Sequence, residues 1–232
     1  MDSSIPSHIQ QILEKILVDT KPICIFLYGS MSRDDSVSES DYEIGVIYQQ
    51  NKKVSRSTLF SYHQFKNLKI YPFSLKDLQN NCLDTPFPGS FYLLQLIDNA
   101  QILFGENVFI NIKRPVITSS DLIETIAFSL GRAYAAVVSS RQKDTLAVID
   151  NFTKSFLYGL QALAFIKIGQ IIYSYRKLKN SIQDLDIPSE YSPLISHVFA
   201  VRNGEILPDS NLLFKNISFL NQFVMPLARQ YH

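Results

Sequence analysis

Between Ile23 and Tyr48 the chain reads ICIFLYGSMSRDDSVSESDYEIGVIY, and this stretch limits the fold more than any other. Ile23 to Tyr28 is a continuous apolar run with β-branched and aromatic residues, stopped by Gly29-Ser30. A short run of that composition ended by a turn pair makes an interior strand. The turn can offer backbone N–H groups and the Ser30 hydroxyl to an anion, and a helix opening at Met31 would add the partial positive charge of its N-terminus. After a connector rich in Ser and Asp, Asp41 to Tyr48 resumes as a second strand. Side chains two apart share a strand face, so Asp41 and Glu43 point one way and Tyr42, Ile44 and Val46 the other. Two neighbouring carboxylates repel unless something positive lies between them. Mg²⁺, which takes oxygen ligands from one or two carboxylates plus substrate phosphates, meets that need. A surface turn followed by an edge strand with solvated acids would carry the same letters.

The remaining chain falls into two compositional halves. Ile5 to Val18 places Ile9, Ile12, Leu13, Ile16 and Leu17 at helical spacing behind Pro6, which predicts a helix laid on one face of a sheet. Asn51-Lys52-Lys53 breaks the second strand, and Ser55 to Phe65, with Arg56 and His63, reads as a loop or short helix. The trio Lys52, Lys53 and Arg56 could attract a nucleotide or simply be a solvated turn. Leu68 to Phe73 is a third strand, followed by Ser74 as a helix N-cap with Asp77 three residues on. Pro86 to Ser90 is a loop, Phe91 to Ala100 an apolar segment packed on the sheet, and Leu103 to Glu106 its closing turn.

Lys113-Arg114-Pro115 marks a boundary, giving domains 1–114 and 115–232. Beyond it the periodicity is helical throughout. Helices are expected from Ser119-Ser120-Asp121 to about Ser139, with Glu124 in the first turn, from Asp144 to a C-cap at Gly169, from Ser174 to Leu185, from Pro193 to Val201 and from Asn211 to Tyr231. Such a set makes a four- or five-helix bundle. The fold class is therefore α+β, a mixed sheet with flanking helices followed by a helical C-terminal domain.

Gly29-Ser30, ten residues, then Asp41-x-Glu43 on an apolar strand resembles the signature of the polymerase-β-type nucleotidyltransferases. Within that superfamily the stretch is most similar to the kanamycin (aminoglycoside) nucleotidyltransferases, which share the spacing, a Glu as second carboxylate and an Arg in the turn, here Arg33. Leu68-Lys69-Ile70-Tyr71-Pro72-Phe73-Ser74 resembles the family's next strand, and Asp186 to Tyr191 a late loop of its helical domain. The resemblance implies that Gly29, Ser30 and Arg33 hold the β- and γ-phosphates of a nucleoside triphosphate, ATP in the first instance. It implies that Asp41 and Glu43 hold Mg²⁺ against the α-phosphate while an acceptor hydroxyl displaces pyrophosphate. It also implies a homodimer.

The chain departs from that pattern in two places. The family's third carboxylate falls at Lys69, whose ammonium cannot ligate Mg²⁺ and either neutralises phosphate or is an exposed strand lysine. The family's base, on the first helix of the C-terminal domain, and a nearby phosphate-binding Lys fall among Ser129, Ala133 and Val137, none of which can act in those roles. Asp121, Glu124, Asp144 and Asp150 are the acids left in the first two helices, and Glu124 is the candidate base.

Lys plus Arg is 22 against 21 for Asp plus Glu, a net charge of +1, which argues against a dedicated nucleic-acid binder. Cys24 and Cys82 lie in or beside apolar segments without metal-ligand spacing and are expected as buried thiols of a reducing cytosol. Without a leader pattern or an unbroken apolar stretch of bilayer length, the expectation is a cytoplasmic protein that does not enter a membrane. His8, His63, His197 and His232 are too scattered to form a metal or catalytic set. Polycationic aminoglycosides need acidic pockets, so Lys69 and Arg132 favour a neutral or anionic small hydroxyl acceptor, or a protein side chain. Three classes of function fit: a nucleotidyltransferase, a degenerate nucleotide binder, and an antitoxin-like minimal nucleotidyltransferase working on a protein partner.

Overall fold

The computed structural model describes residues 5–33, 35–36, 40–49, 55–62, 67–83 and 87–231, so Lys52, Lys53, His63, Pro86 and His232 lie outside the described residues, as does the side chain of Arg56. The chain divides into two compact units, Met1–Val116 and Ile117–His232.

In the first unit the elements run α1 (Ser7–Thr20), β1 (Cys24–Tyr28), a single 3₁₀ turn (Met31–Arg33), β2 (Tyr42–Tyr48), α2 (Arg56–Phe60), β3 (Leu68–Ser74), α3 (Leu75–Gln79), α4 (Gly89–Asn99) and β4 (Gln101–Gly105). The four strands form one mixed sheet in the order β3-β2-β1-β4, with β2 and β3 parallel and the other pairs antiparallel. Pro72 sits in β3, an outer strand, where its missing N–H costs no interior ladder bond. Strand alternation sorts the side chains into two cores. Ile25, Leu27, Ile44, Val46, Leu68 and Ile70 pack with Ile9, Ile12, Leu13 and Ile16 of α1. Cys24, Phe26, Tyr28 and Ile47 pack on the other face with Tyr92, Leu93 and Leu96 of α4 and with Val108 and Phe109 beyond β4. Leu103 to Gly105 belongs to β4 rather than to a closing turn. Gly105, at φ +82°, ends the strand against the backbone of Ile23, and that local bend is what reads as a turn in the sequence.

The second unit contains α5 (Ser119–Arg141), α6 (Thr145–Ile168), α7 (Tyr175–Ser181), α8 (Ser192–Arg202), α9 (Ser210–Ser218) and α10 (Met225–Arg229). Thr118, not Ser119, caps α5, in a capping box with Asp121. Asp144 caps α6, and Gly169 closes it in the left-handed region at φ +69°. The buried face of α6 supplies Phe152, Phe156, Leu160 and Leu163 to the core. The closing helix is not one regular helix: residues Phe219–Val224, just upstream of Pro226, widen into a π segment between α9 and α10. A proline inside a helix removes a hydrogen bond and crowds the carbonyl a turn before it, and the wider turn relieves both. Among the described residues α5 is long and apolar enough to cross a membrane by length and composition alone, a test that core helices of soluble proteins also pass.

The two thiols differ. Cys24 is buried and its thiol is pushed up to about 11 by desolvation, whereas Cys82 is exposed, contrary to expectation. Titration of the native protein with a thiol-reactive disulfide reagent at pH 8 is expected to consume one thiol promptly, Cys82, and the second only on unfolding. Prompt reaction of both, or loss of the prompt phase in Cys24→Ser rather than Cys82→Ser, would contradict this. Because the folded state holds the Cys24 proton more tightly than the unfolded chain does, its contribution to stability is intact below about pH 9 and lost as pH rises towards 11.

Candidate functional site

β1 ends at the core residue Tyr28, and Gly29 turns the chain at φ +80°, a left-handed conformation that side chains other than glycine disfavour. Space is a second reason for glycine. Tyr28 pairs with Glu43 across the antiparallel β1–β2 ladder, so the Glu43 side chain lies beside the turn, and a Cβ on Gly29 would collide with the Glu43 carboxylate. Hydrogen bonds among the described residues fasten the turn. The Ser32 hydroxyl donates to the Gly29 carbonyl at 3.0 Å, the Arg33 and Asp35 backbone N–H groups donate to the Ser30 carbonyl at 3.3 and 3.2 Å, and the Gln101 amide donates to the Ser32 carbonyl at 3.1 Å.

Glu43, Gly45 and Ile47 share the face of β2 that carries Phe26 and Tyr28 opposite them, and Ile44 and Val46 face α1, as strand alternation requires. Asp41 stands one residue before β2, two residues from Glu43, and both are half-buried. Lys69 is the register partner of Glu43 in the parallel β2–β3 pair, so the position expected to carry a third carboxylate brings an ammonium-bearing side chain onto the same sheet face. Among the described residues no cluster of three or more His, Cys, Asp or Glu is placed to hold a metal ion.

Where a helix opening at Met31 would have brought its N-terminus to the glycine turn, the described residues form a single 3₁₀ turn, Met31–Arg33. Arg33 points inward: its guanidinium lies 3.6 Å from the Asp35 carboxylate, with side-chain exposures of 6% and 3%. The pair braces the loop from within. Sequence reasoning also passed over Tyr28, which was read only as the end of a strand. Burial first, then the neighbouring Tyr92 phenol and the Glu43 carboxylate, push the Tyr28 phenol well above its ordinary range, so Tyr28 stays neutral beside Glu43. Tyr71, Phe73 and Tyr92 ring it at centroid distances of 6.5, 6.1 and 6.2 Å, an aromatic wall on the Glu43 side of the sheet.

In the helical unit Glu124 lies in the second turn of α5 and is exposed, while the first-turn acid is Asp121. The other acids of the first two helices have structural partners. Asp121 accepts from the Thr118 backbone N–H at 2.8 Å, Asp144 accepts from the Ala147 N–H at 3.1 Å, and Asp150 pairs with Arg132 at 2.6 Å and with Lys154 at 2.5 Å. Ser129 and Ala133 are buried in the bundle, so the outward face of α5 is formed by other residues.

No protein-family profile matches the chain, and no curated protein matches it in sequence. A search of solved structures does find matches. Among them is spectinomycin adenyltransferase AAD(9) from Enterococcus faecialis, determined with ATP and spectinomycin, at a TM-score of 0.65 and 14% sequence identity, covering 95% of this chain and 99% of that one. At that identity the likeness is one of fold, and the chain has the α+β nucleotidyltransferase fold.

Proposed function

We propose that this protein is a nucleotidyltransferase, transferring a nucleoside monophosphate from a nucleoside triphosphate, ATP in the first instance, to the hydroxyl of a small acceptor. The observation that carries the reading is the placing of Glu43 against the Gly29 turn, with Asp41 two residues away, in a chain whose fold matches an adenyltransferase solved with ATP. The donor set suits Mg²⁺, since two carboxylates are what this cation asks of a protein when phosphates complete its shell. Bound there, Mg²⁺ would supply charge neutralisation for a phosphoryl group. The backbone of residues Gly29 and Ser30, with Lys69 beside Glu43, meets the phosphates, and Arg33 acts by holding the turn in shape through Asp35.

In the reaction the acceptor oxygen bonds to the α-phosphorus, the bond from that phosphorus to the bridging oxygen breaks, and pyrophosphate leaves with the electron pair. The acceptor proton passes to a base, and Glu124, an exposed acid of α5 that makes no cap or ion pair among the described residues, is our candidate. Glu124→Gln is expected to lower turnover about a hundredfold while nucleotide affinity is kept, because an amide retains the shape but cannot take the proton. An unchanged rate would remove Glu124 from the mechanism.

Lys69 supports an acceptor without a large positive charge. Spectinomycin, kanamycin and neutral or anionic hydroxyl compounds therefore form the acceptor panel, and tight saturable binding of kanamycin would contradict this part of the reading. The same lysine favours one second reading, a nucleotide binder that has lost catalysis along with the third carboxylate. Calorimetric titration of a non-hydrolysable ATP analogue, with and without Mg²⁺, tests both. Magnesium-dependent binding with pyrophosphate release from ATP in the presence of an acceptor supports the enzyme, such binding without release supports the second reading, and no binding of any triphosphate removes both.

A further inference from the structure

Three features line up across the sheet of the first unit. Strands β3, β2 and β1 lie side by side, and Glu43 is the register partner of Tyr28 on one side and of Lys69 on the other. Gly29 follows Tyr28, so close that a Cβ on it would strike the Glu43 carboxylate. Neighbouring strands are about 4.8 Å apart. A glycine turn able to meet an anion, a carboxylate and an ammonium-bearing side chain therefore follow one another in a row, with Asp41 one residue before β2.

Lys69 is half-buried, yet among the described residues its ammonium makes no hydrogen bond and no ion pair, with Glu43 or with any other acid. A lysine placed in this way is not spent on holding the sheet together. It is also the wrong group for a metal ion. An ammonium has three donors and no lone pair to give, and its charge opposes a divalent ion nearby. Sites that hold two divalent ions set them about 3.5–4 Å apart and need oxygen ligands enough for both. Asp41 and Glu43 are joined by no third His, Cys, Asp or Glu in a metal-binding cluster among the described residues, and Asp35 is committed to Arg33.

The geometry points to Lys69 as the second cation of the nucleotide site, an assignment that rests on the nucleotidyltransferase reading: its ammonium takes the place of a second divalent ion, and one divalent ion, held by Asp41 and Glu43, accompanies each bound triphosphate. A fixed ammonium acts on the two ligands with opposite sign. It attracts the triphosphate, and it resists entry of a divalent ion into the empty carboxylate pair. The metal ion enters together with the phosphates, whose negative charge offsets the lysine.

The test uses Mn²⁺, which is counted by electron spin resonance, and a non-hydrolysable ATP analogue. The wild type is expected to hold one tightly bound Mn²⁺ per bound nucleotide. Lys69→Met keeps the length of the stem and removes the charge. It is expected to weaken nucleotide binding at least about tenfold and to tighten the binding of Mn²⁺ alone at least about threefold, shifts of opposite sign from one substitution. Lys69→Arg, which keeps the charge, is expected to leave both affinities within about threefold of wild type. Two Mn²⁺ per nucleotide in the wild type overturns the proposal, and so does any pattern in Lys69→Met other than opposite shifts. The wild-type count needs no variant to fold. A wild type that binds no triphosphate removes the nucleotidyltransferase reading and this assignment with it, whereas two ions, or affinities that Lys69→Met leaves in place, remove the assignment alone.

Discussion

If the proposed function holds, Asp41→Ala/Glu43→Ala protein is expected to lose turnover by about a thousandfold or more, because electrostatic stabilisation of a phosphoryl group is the main work such a site does and each charged group contributes roughly two to three orders of magnitude. Any magnesium-dependent part of nucleotide binding is expected to disappear with it, weakening affinity at least about tenfold. The fold does not pay for this loss. Both side chains are half-buried, and removing two neighbouring like charges relieves repulsion, so the melting temperature stays at or slightly above that of the wild type. Calorimetry, a pyrophosphate-release assay and a thermal melt on the same sample separate these outcomes. Retained turnover in a well-folded double variant would show that the pair is architecture and not chemistry.

Gly45→Ala produces the largest loss of stability we expect from a single methyl group. Gly45 faces Phe26 across β1 and β2, and a Cβ there would fall within the Phe26 ring. The ring has little room to retreat: it is fully buried, set edge-on to Phe109 at 5.0 Å and against Phe73 at 5.4 Å. Overpacking of a tight core costs about 1–3 kcal/mol, and a rigid, ring-locked neighbour places this case at the upper end. For a unit of this size that corresponds to a fall in melting temperature on the order of 10 °C. Phe26→Leu introduced alongside Gly45→Ala should recover part of the loss by vacating the volume the methyl group needs. A single variant that melts with the wild type would mean that the sheet yields where the packing says it cannot.

What could be read from the sequence, and what could not, follows the range of the interactions involved. Strands β1, β2 and β3, the same-face pairing of Glu43 with its strand neighbours, the Ser74 and Asp144 caps and the Gly169 stop are all written in short windows, where periodicity and capping chemistry operate. β4 was missed because Gly105 gives the letters of a turn, and its strand character comes from pairing with β1, far away in the chain. Whether a helix opens at Met31 is not decided by the local letters; the described residues there form one 3₁₀ turn, with Arg33 and Asp35 paired inside the loop. On α5 the period is legible, but periodicity identifies faces without saying which of them the bundle covers, and the burial of Ser129 and Ala133 depends on the helices packed against them. The ion pairs of Asp150, the role of Tyr28 and the exposure of Cys82 depend on which elements meet, and no local window contains that.

Pro72 limits how this protein can assemble. An outer strand presents a row of backbone donors and acceptors to any extended chain that passes, and strand addition at such an edge is a common route to both dimers and fibres. In β3 one donor of that row is missing at its middle, so a strand arriving there would find the ladder interrupted. Association through β3 is thereby discouraged at the level of the backbone, independently of side-chain sequence.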